Sequence, residues 1–344
     1  MSLMTRQVRQ TVFAPRLQAL LQDHAQDDLF RLDKNTVGVA GPELIDRILR
    51  ARPANEFERP TFKPLHGRSI PRPDALKSMQ AIGRDVRAAL KKPIPEDVDL
   101  SGPWPHVGHV YLRDLILGRD PGRLRFLMDR ILELTPKLTW AVIATGALLP
   151  LRPSAEASAL AVATAAPAAY HERRYAMGMY RRTAAPVCFT ISTLVANAIW
   201  LGAPFDDKLS NRHILYETLR LLPPSWNILR NASPEYTAID ARIGPNDDVL
   251  ILPLVSHRAP ALWEAANEFL PERWDSLNPD ELPGYLPFGH KSERCWGQHM
   301  VLPLAEMFLD MLRQQKLTVS PEQTMALVPL AGLLGIAEVQ VTSL

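Results

Sequence analysis

The sequence predicts a mainly α-helical chain with a small β part. Three observations predict it. From about residue 73 to 222 apolar residues recur at helical spacing in one segment after another. Strand-like alternation is clearest at about 29–40 and 226–256. The 31 prolines fall mostly between the apparent helices, as in a large irregular fold. No internal repeat or low-complexity linker divides the 344 residues, so a single domain over 1–344 is expected, with a helical core at 73–222 and 296–315.

The elements follow in order. "LFRLD" alternates and "NTVGVA" follows a turn, which predicts a hairpin; "GPELIDRILRARP" then places Pro42 at a helix start ahead of helically spaced apolar residues. Residues 73–92 read as a helix ending in a basic cluster, and helical segments continue through "HVYLRDLILG", "RLRFLMDRILEL", an alanine-rich stretch near 154–170 and "HERRYAMGMYRR". Ala184 to Pro204 is the longest uncharged run. It is long enough to span a bilayer, but Thr190, Ser192, Thr193 and Asn197 within it favour a helix buried in a protein core. "SNRHILYETLRLLPP" is a helix with a Ser or Asn start and a double-proline stop. Residues 226–256 read as strands with turns at "NASPEY" and "GPNDD"; a last helix follows from about 296 to 315, and the tail again suggests strands.

Composition narrows the function. A formal charge of +2 argues against a nucleic-acid partner, which needs a concentrated basic face. The N-terminus has no continuous apolar signal region. Two cysteines, Cys188 and Cys295, build no disulfide framework, so a reducing cytoplasm is the expected location.

Two constellations carry chemistry. Glu217 and Arg220 lie three apart on one helix face. They read either as a solvated pair or, given the apolar Ile214, Leu215, Leu219 and Leu221 around them, as a buried pair that needs further partners, which Arg273 of "FLPERW" could supply. The second is "YLPFGHKSERCWGQHM". A lone cysteine reads first as an inert buried thiol. A thiolate can also be an axial ligand to haem iron, and Cys295 stands just ahead of a helix whose N-terminal amides would lower its pKa, with Gly297 allowing close backbone approach to a flat macrocycle.

A Glu-x-x-Arg helix, then strands, "PERW", and a Phe-Gly followed seven residues after the Phe by Cys-x-Gly: this order resembles the cytochrome P450 family. The likeness is specific over 205–315, supported at 29–51, and at 73–204 matched only by helix content and order. It implies a cytochrome P450-like fold with haem between a long distal helix and the cysteine-ligand loop and helix. It implies haem b (iron protoporphyrin IX) bound through Cys295, with Arg230, Phe288, Lys291, Arg294 and Gly297 around the cofactor. It makes Glu217, Arg220 and Arg273 a structural triad and His257-Arg258 a structural stretch.

The chain departs from the family pattern twice. The glycine four before the cysteine is Lys291, and the arginine two before it is Glu293, with Arg294 moved next to Cys295. On the distal helix the acid and alcohol that relay protons are replaced, in Ala184-Ala185-Pro186-Val187-Cys188, by Val187 and Cys188; Pro186 is placed to kink the helix. The resemblance therefore implies a monooxygenase of secondary metabolism acting on a small molecule, free or carrier-tethered, with a ferredoxin-type redox partner docking at Arg87, Lys91, Lys92, Lys291 and Arg294. The missing relay leaves a second reading, a haem-thiolate protein that is peroxide-driven or catalyses non-redox dehydration, isomerisation or cyclisation. A third is a haem-bearing scaffold without catalysis. Middle lid helices are expected to be short.

Overall fold

A computed structural model describes residues 9–51, 80, 83–84, 86–88, 90–92, 98–117, 187–291, 294–295 and 297–343. Pro186, Glu293 and the alanine-rich stretch near 154–170 lie outside them. The described elements run β1 (Gln10–Phe13), α1 (Pro15–Asp23), β2 (Leu29–Asp33), β3 (Thr36–Val39), α2 (Pro42–Arg50), β4 (Gly102–Trp104), α3 (His106–Leu117), and α4, which spans 187–202. They continue with α5 (Asn211–Leu221), β5 (Ile228–Arg230), α6 (Pro234–Ile239), β6 (Asp248–Ile251), α7 (Pro253–Ser256), a 3-10 turn (Pro271–Asp275), α8 (Gln298–Gln314), β7 (Leu317–Val319), β8 (Met325–Val328) and β9 (Val339–Ser343). The fold is mainly helical with a small β part, as the sequence predicts. Two compact units emerge: Met1–Glu58 with Ala196–Gln298 and Pro321–Glu338, and Arg59–Val195 with His299–Ser320 and Val339–Leu344.

The first unit is built on a four-stranded sheet in the order β2-β3-β6-β5. The β2–β3 hairpin turns where the Asn35 N–H donates to Asp33 Oδ1 at 2.9 Å, a side-chain turn that asparagine and aspartate favour. β3 pairs in parallel with β6, bringing Val37 opposite Val249 and Val39 opposite Ile251. One face of this sheet closes on Leu44, Ile45, Ile48 and Leu49 of α2, whose apolar residues recur at helical spacing. Pro42 at its first turn and Glu43 beside it start α2, and Arg47 and Arg50 fall in its last turn, where the helix dipole favours cations. At Gly38 a side chain is excluded: a Cβ there would stand 2.5 Å from the Phe30 ring.

Several elements differ from the sequence reading: β1 and β4 fall outside the stretches read as strands and α7 forms inside one of them, each only three or four residues long. "NASPEY" forms the start of helix α6 where a turn is expected. Ser233 precedes it, Pro234 opens it and Glu235 sits in its first turn, which together are helix-start chemistry; six residues are too few for helical periodicity to show.

The second unit holds an antiparallel three-stranded sheet, β4-β9-β7. Trp104 is its anchor. It is fully buried, donates its Nε1–H to Leu100 O at 2.9 Å, and lies 5.2 Å from the Phe308 ring. α3 meets the first turns of α4 at Gly108, where a Cβ would stand 2.6 Å from Trp104 and 2.9 Å from Ser192 Oγ.

Every α4 residue from 187 to 200 is buried except the half-buried Thr190. Asn197 spends its polar atoms inside the first unit. Its Nδ2 donates to Leu222 O at 3.0 Å and Leu334 O at 3.3 Å, while its Oδ1 accepts the Ile336 N–H at 2.9 Å. A satisfied buried amide explains why this uncharged run tolerates asparagine in a core helix. Among the described residues no helix is long and apolar enough to cross a membrane.

Candidate functional site

α5 carries Glu217 and Arg220 toward the core because Ile214, Leu215, Leu219 and Leu221 bury the same faces. Both charged residues are 0% exposed. Arg220 grips Glu217 with two bonds, Nε to Oε2 at 3.0 Å and Nη2 to Oε1 at 2.8 Å. Arg273 adds Nε at 3.2 Å, the Trp274 Nε1–H donates at 3.0 Å, and the Leu270 N–H donates at 3.0 Å. Arg220 spends its remaining donors on the carbonyls of His257, Ala266 and Glu268. A buried ion pair persists only when its outstanding donors and acceptors are met in this way. Trp274 and Leu270 are partners that charge pairing alone does not reveal; Leu270 precedes the "PERW" stretch and Trp274 ends it.

His257 links this cluster to the cysteine loop. Its Nδ1 lies 3.2 Å from Leu219 O, and its Nε2 accepts the Leu286 N–H at 2.8 Å. Accepting through Nε2 places the proton on Nδ1, so the ring is neutral. Burial lowers its pKa to about 3, against a raising contribution from Leu219. Tyr285, one residue before Leu286, donates its hydroxyl to Tyr216 O at 2.9 Å.

The loop then turns at Gly289, whose φ of 79° is the left-handed region glycine favours. The Cys295 N–H donates back to Phe288 O at 2.8 Å, closing the loop. Cys295 is exposed. The Gly297 N–H lies 3.4 Å from its Sγ, and Gly297 itself is buried just before α8. The amides point at the sulfur as the sequence leads one to expect, but the expected lowering of the thiol pKa is not found. Burial of the sulfur raises it, and the Gly297 and Gln298 backbone groups oppose this without overcoming it. The residue is exposed while its sulfur is desolvated.

The remaining predicted residues are placed as follows. Arg230 ends β5, half-buried and paired in register with Val249. Phe288 is half-buried and Lys291 exposed. Arg294 donates Nη1 to Asp280 at 2.6 Å in an exposed pair. Arg87, Lys91 and Lys92 are exposed on the second unit. Val187 and Cys188 are both 0% exposed. Burial pushes the Cys188 thiol up beyond its ordinary range, with Arg113 and Asp114 the charges that act on it, so this cysteine is a neutral packed thiol. The half-buried hydroxyl of α4 belongs to Thr190.

The donor set fits a haem iron: one reachable sulfur, backbone N–H groups directed at it, and a small residue two positions on. Among the described residues no three His, Cys, Asp or Glu side chains come together to hold a metal ion. A single-cysteine site therefore suits a metal that brings its other ligands with it.

Comparison with known proteins agrees. Residues 212–334 match the family model described as Cytochrome P450. Cyclooctatin synthase of Streptomyces melanosporofaciens is 39% identical over 88 residues, 25% of this chain and 19% of that protein. Cyclooctat-9-en-7-ol 5-monooxygenase of the same organism is 35% identical over 111 residues, 30% of this chain and 24% of that protein. The matched stretches thus span well under half of these relatives' lengths. Among solved structures, a mutant of P450 EryK in complex with erythromycin B superposes with a TM-score of 0.62 at 16% identity, covering 95% of this chain and 96% of that one. The post-tailoring hydroxylase HmtN of himastatin biosynthesis gives a TM-score of 0.61 at 13% identity, covering 93% and 94%. This chain has the cytochrome P450 fold, and its residues 212–334 carry cytochrome P450 sequence.

Proposed function

We propose that the chain is a haem-thiolate monooxygenase of cytochrome P450 type, oxidising a small organic molecule in secondary metabolism. In this reading haem b is the cofactor, a ferredoxin-type protein supplies electrons, and the reaction runs in the cytoplasm. The observation that carries it is the Cys295 loop, closed on Phe288 O with the Gly297 N–H directed at the sulfur. The monooxygenase named among the relatives supports the reaction class.

Cys295 would hold the iron, and thiolate-bound haem supplies activation of O2, because sulfur donation favours O–O cleavage. The chain's own residues do the positioning. Gly297 keeps space beside the sulfur, and its N–H offsets part of the sulfur's negative charge. Phe288 closes the loop through its carbonyl, and Arg230, Lys291 and Arg294 are the cations nearest the ligand in sequence or motif for the haem carboxylates. Of these, Arg294 is engaged by Asp280 and has to leave that pair to serve. Thr190 is the α4 hydroxyl that keeps partial exposure, and so the one on which a proton or an ordered water can be held.

Turnover with NADPH, a ferredoxin reductase and ferredoxin, over a panel of small apolar substrates under 18O2, tests the reading. The expected result is a product carrying one labelled oxygen. Conversion with hydrogen peroxide alone, or with no oxidant, contradicts it and favours the peroxide-driven or non-redox alternative.

A further inference from the structure

The Cys295 loop is tethered in a way that its sequence motif does not explain. The stretch from Gly289 to Cys295 has Lys291 where the family pattern has glycine, so Gly289, at φ 79°, carries the left-handed turn. Two side chains in this stretch hold the loop to the rest of the first unit. One is Arg294, whose contact with Asp280 is open to solvent at both ends, 35% and 63% exposed. Exposed pairs of this kind contribute about 0–1 kcal/mol and hold little in place. The other is His290. Its side chain is 7% exposed, and its Nε2 lies 3.0 Å from Asp46 Oδ1 on α2. The other carboxylate oxygen of Asp46 receives Arg50 Nε at 2.9 Å, one helical turn on, in a pair that is itself exposed. α2 is itself held rigidly against the four-stranded sheet by Leu44, Ile45, Ile48 and Leu49.

Resting on the haem-thiolate reading, we infer that His290 is a positioning residue for the iron ligand: its bond to Asp46 anchors the cysteine loop to α2 and sets where Cys295 presents its sulfur. The loop then has two independent fixings. His257 holds Leu286 on the near side of the Gly289 turn, and Asp46 holds His290 on the far side. Removing the second leaves the far side of the loop held, among the described contacts, by the Cys295–Phe288 backbone bond and the exposed Arg294–Asp280 pair. Groups that orient a metal ligand from behind act in this way, and their loss typically costs about 10–100-fold in metal affinity.

The test compares haem-loaded wild type with His290→Leu, His290→Gln and Asp46→Ala. Leucine keeps the buried volume and breaks the contact; glutamine keeps an N–H that reaches Asp46. The readouts are the Soret position of the reduced CO complex, the rate of haem transfer to apomyoglobin and the melting temperature. The expected result is about tenfold faster haem loss, with a fall in the thiolate-ligated band, in His290→Leu and Asp46→Ala. Near-wild-type behaviour is expected in His290→Gln. A purely structural role would lower the melting temperature and leave the Soret position and haem retention alone, and that outcome overturns the inference. Should Asp46→Ala not fold, the leucine and glutamine pair decides by the same criteria. A wild type without a thiolate-type band sinks the haem-thiolate reading, whereas a wild type with the band and unchanged variants sinks only the positioning role.

Discussion

Glu217 and Cys295 are two anion-forming groups in the same compact unit, and their surroundings are opposite. The Glu217 carboxylate arrives with its complement: Arg220 twice, Arg273, Trp274 and the Leu270 amide all donate to it, and it is 0% exposed. The Cys295 sulfur has backbone dipoles and no side-chain cation among its described bonds, and its residue is exposed. A carboxylate enclosed by five donors is structural, although Arg273 keeps a buried Nη2 without a hydrogen bond. A sulfur whose residue stays exposed is a place for a ligand. The same fold thus encloses one acid and presents the other.

The comparison can be broken first at its closed end. Glu217→Ala leaves the guanidinium of Arg220 buried without its counter-ion, and stability should fall by about 3–5 kcal/mol in chemical unfolding. A loss below about 1 kcal/mol would show that the network is replaceable. Next comes pH. His257 stays neutral in the folded chain down to about pH 3, while in the unfolded chain it takes a proton near the ordinary histidine value of 6.5. The unfolded state then binds more protons, so stability is full above 6.5 and declines as pH falls toward 3, by on the order of a few kcal/mol. His109, whose pKa burial lowers to about 4, adds to the same slope. Melting temperatures between pH 7 and 4 check this, and the slope should flatten in His257→Gln. The smallest effect is expected from Trp274→Phe, which removes one donor and leaves the rest: about 1.5 kcal/mol, the scale of a hydrogen bond to a charged group.

How much of this was legible in the sequence depended on the distance between partners. The Glu217–Arg220 pair lies within one helical turn, so its spacing gave it away, and the apolar flanks indicated burial. The β2–β3 hairpin and α2 carry their turn and start signals locally. His290 and Asp46 are separated by 244 positions, and no local pattern joins them. The tie between His257 and Leu286 needs the loop and α5 already in place. One reading from the loop is limited by burial: the helix start ahead of Cys295 suggests a low pKa, and desolvation outweighs the amides. Spacing identifies which dipoles point at a group. It does not reveal how much water the group has lost.

The central claim, that Cys295 presents its sulfur to haem iron, is tested most directly by the CO spectrum of the reduced protein expressed with ample iron and porphyrin precursor. The account predicts a Soret band at the thiolate-ligated position in the wild type and its loss in Cys295→Ala. A colourless wild type, or a band unchanged by the substitution, would contradict it.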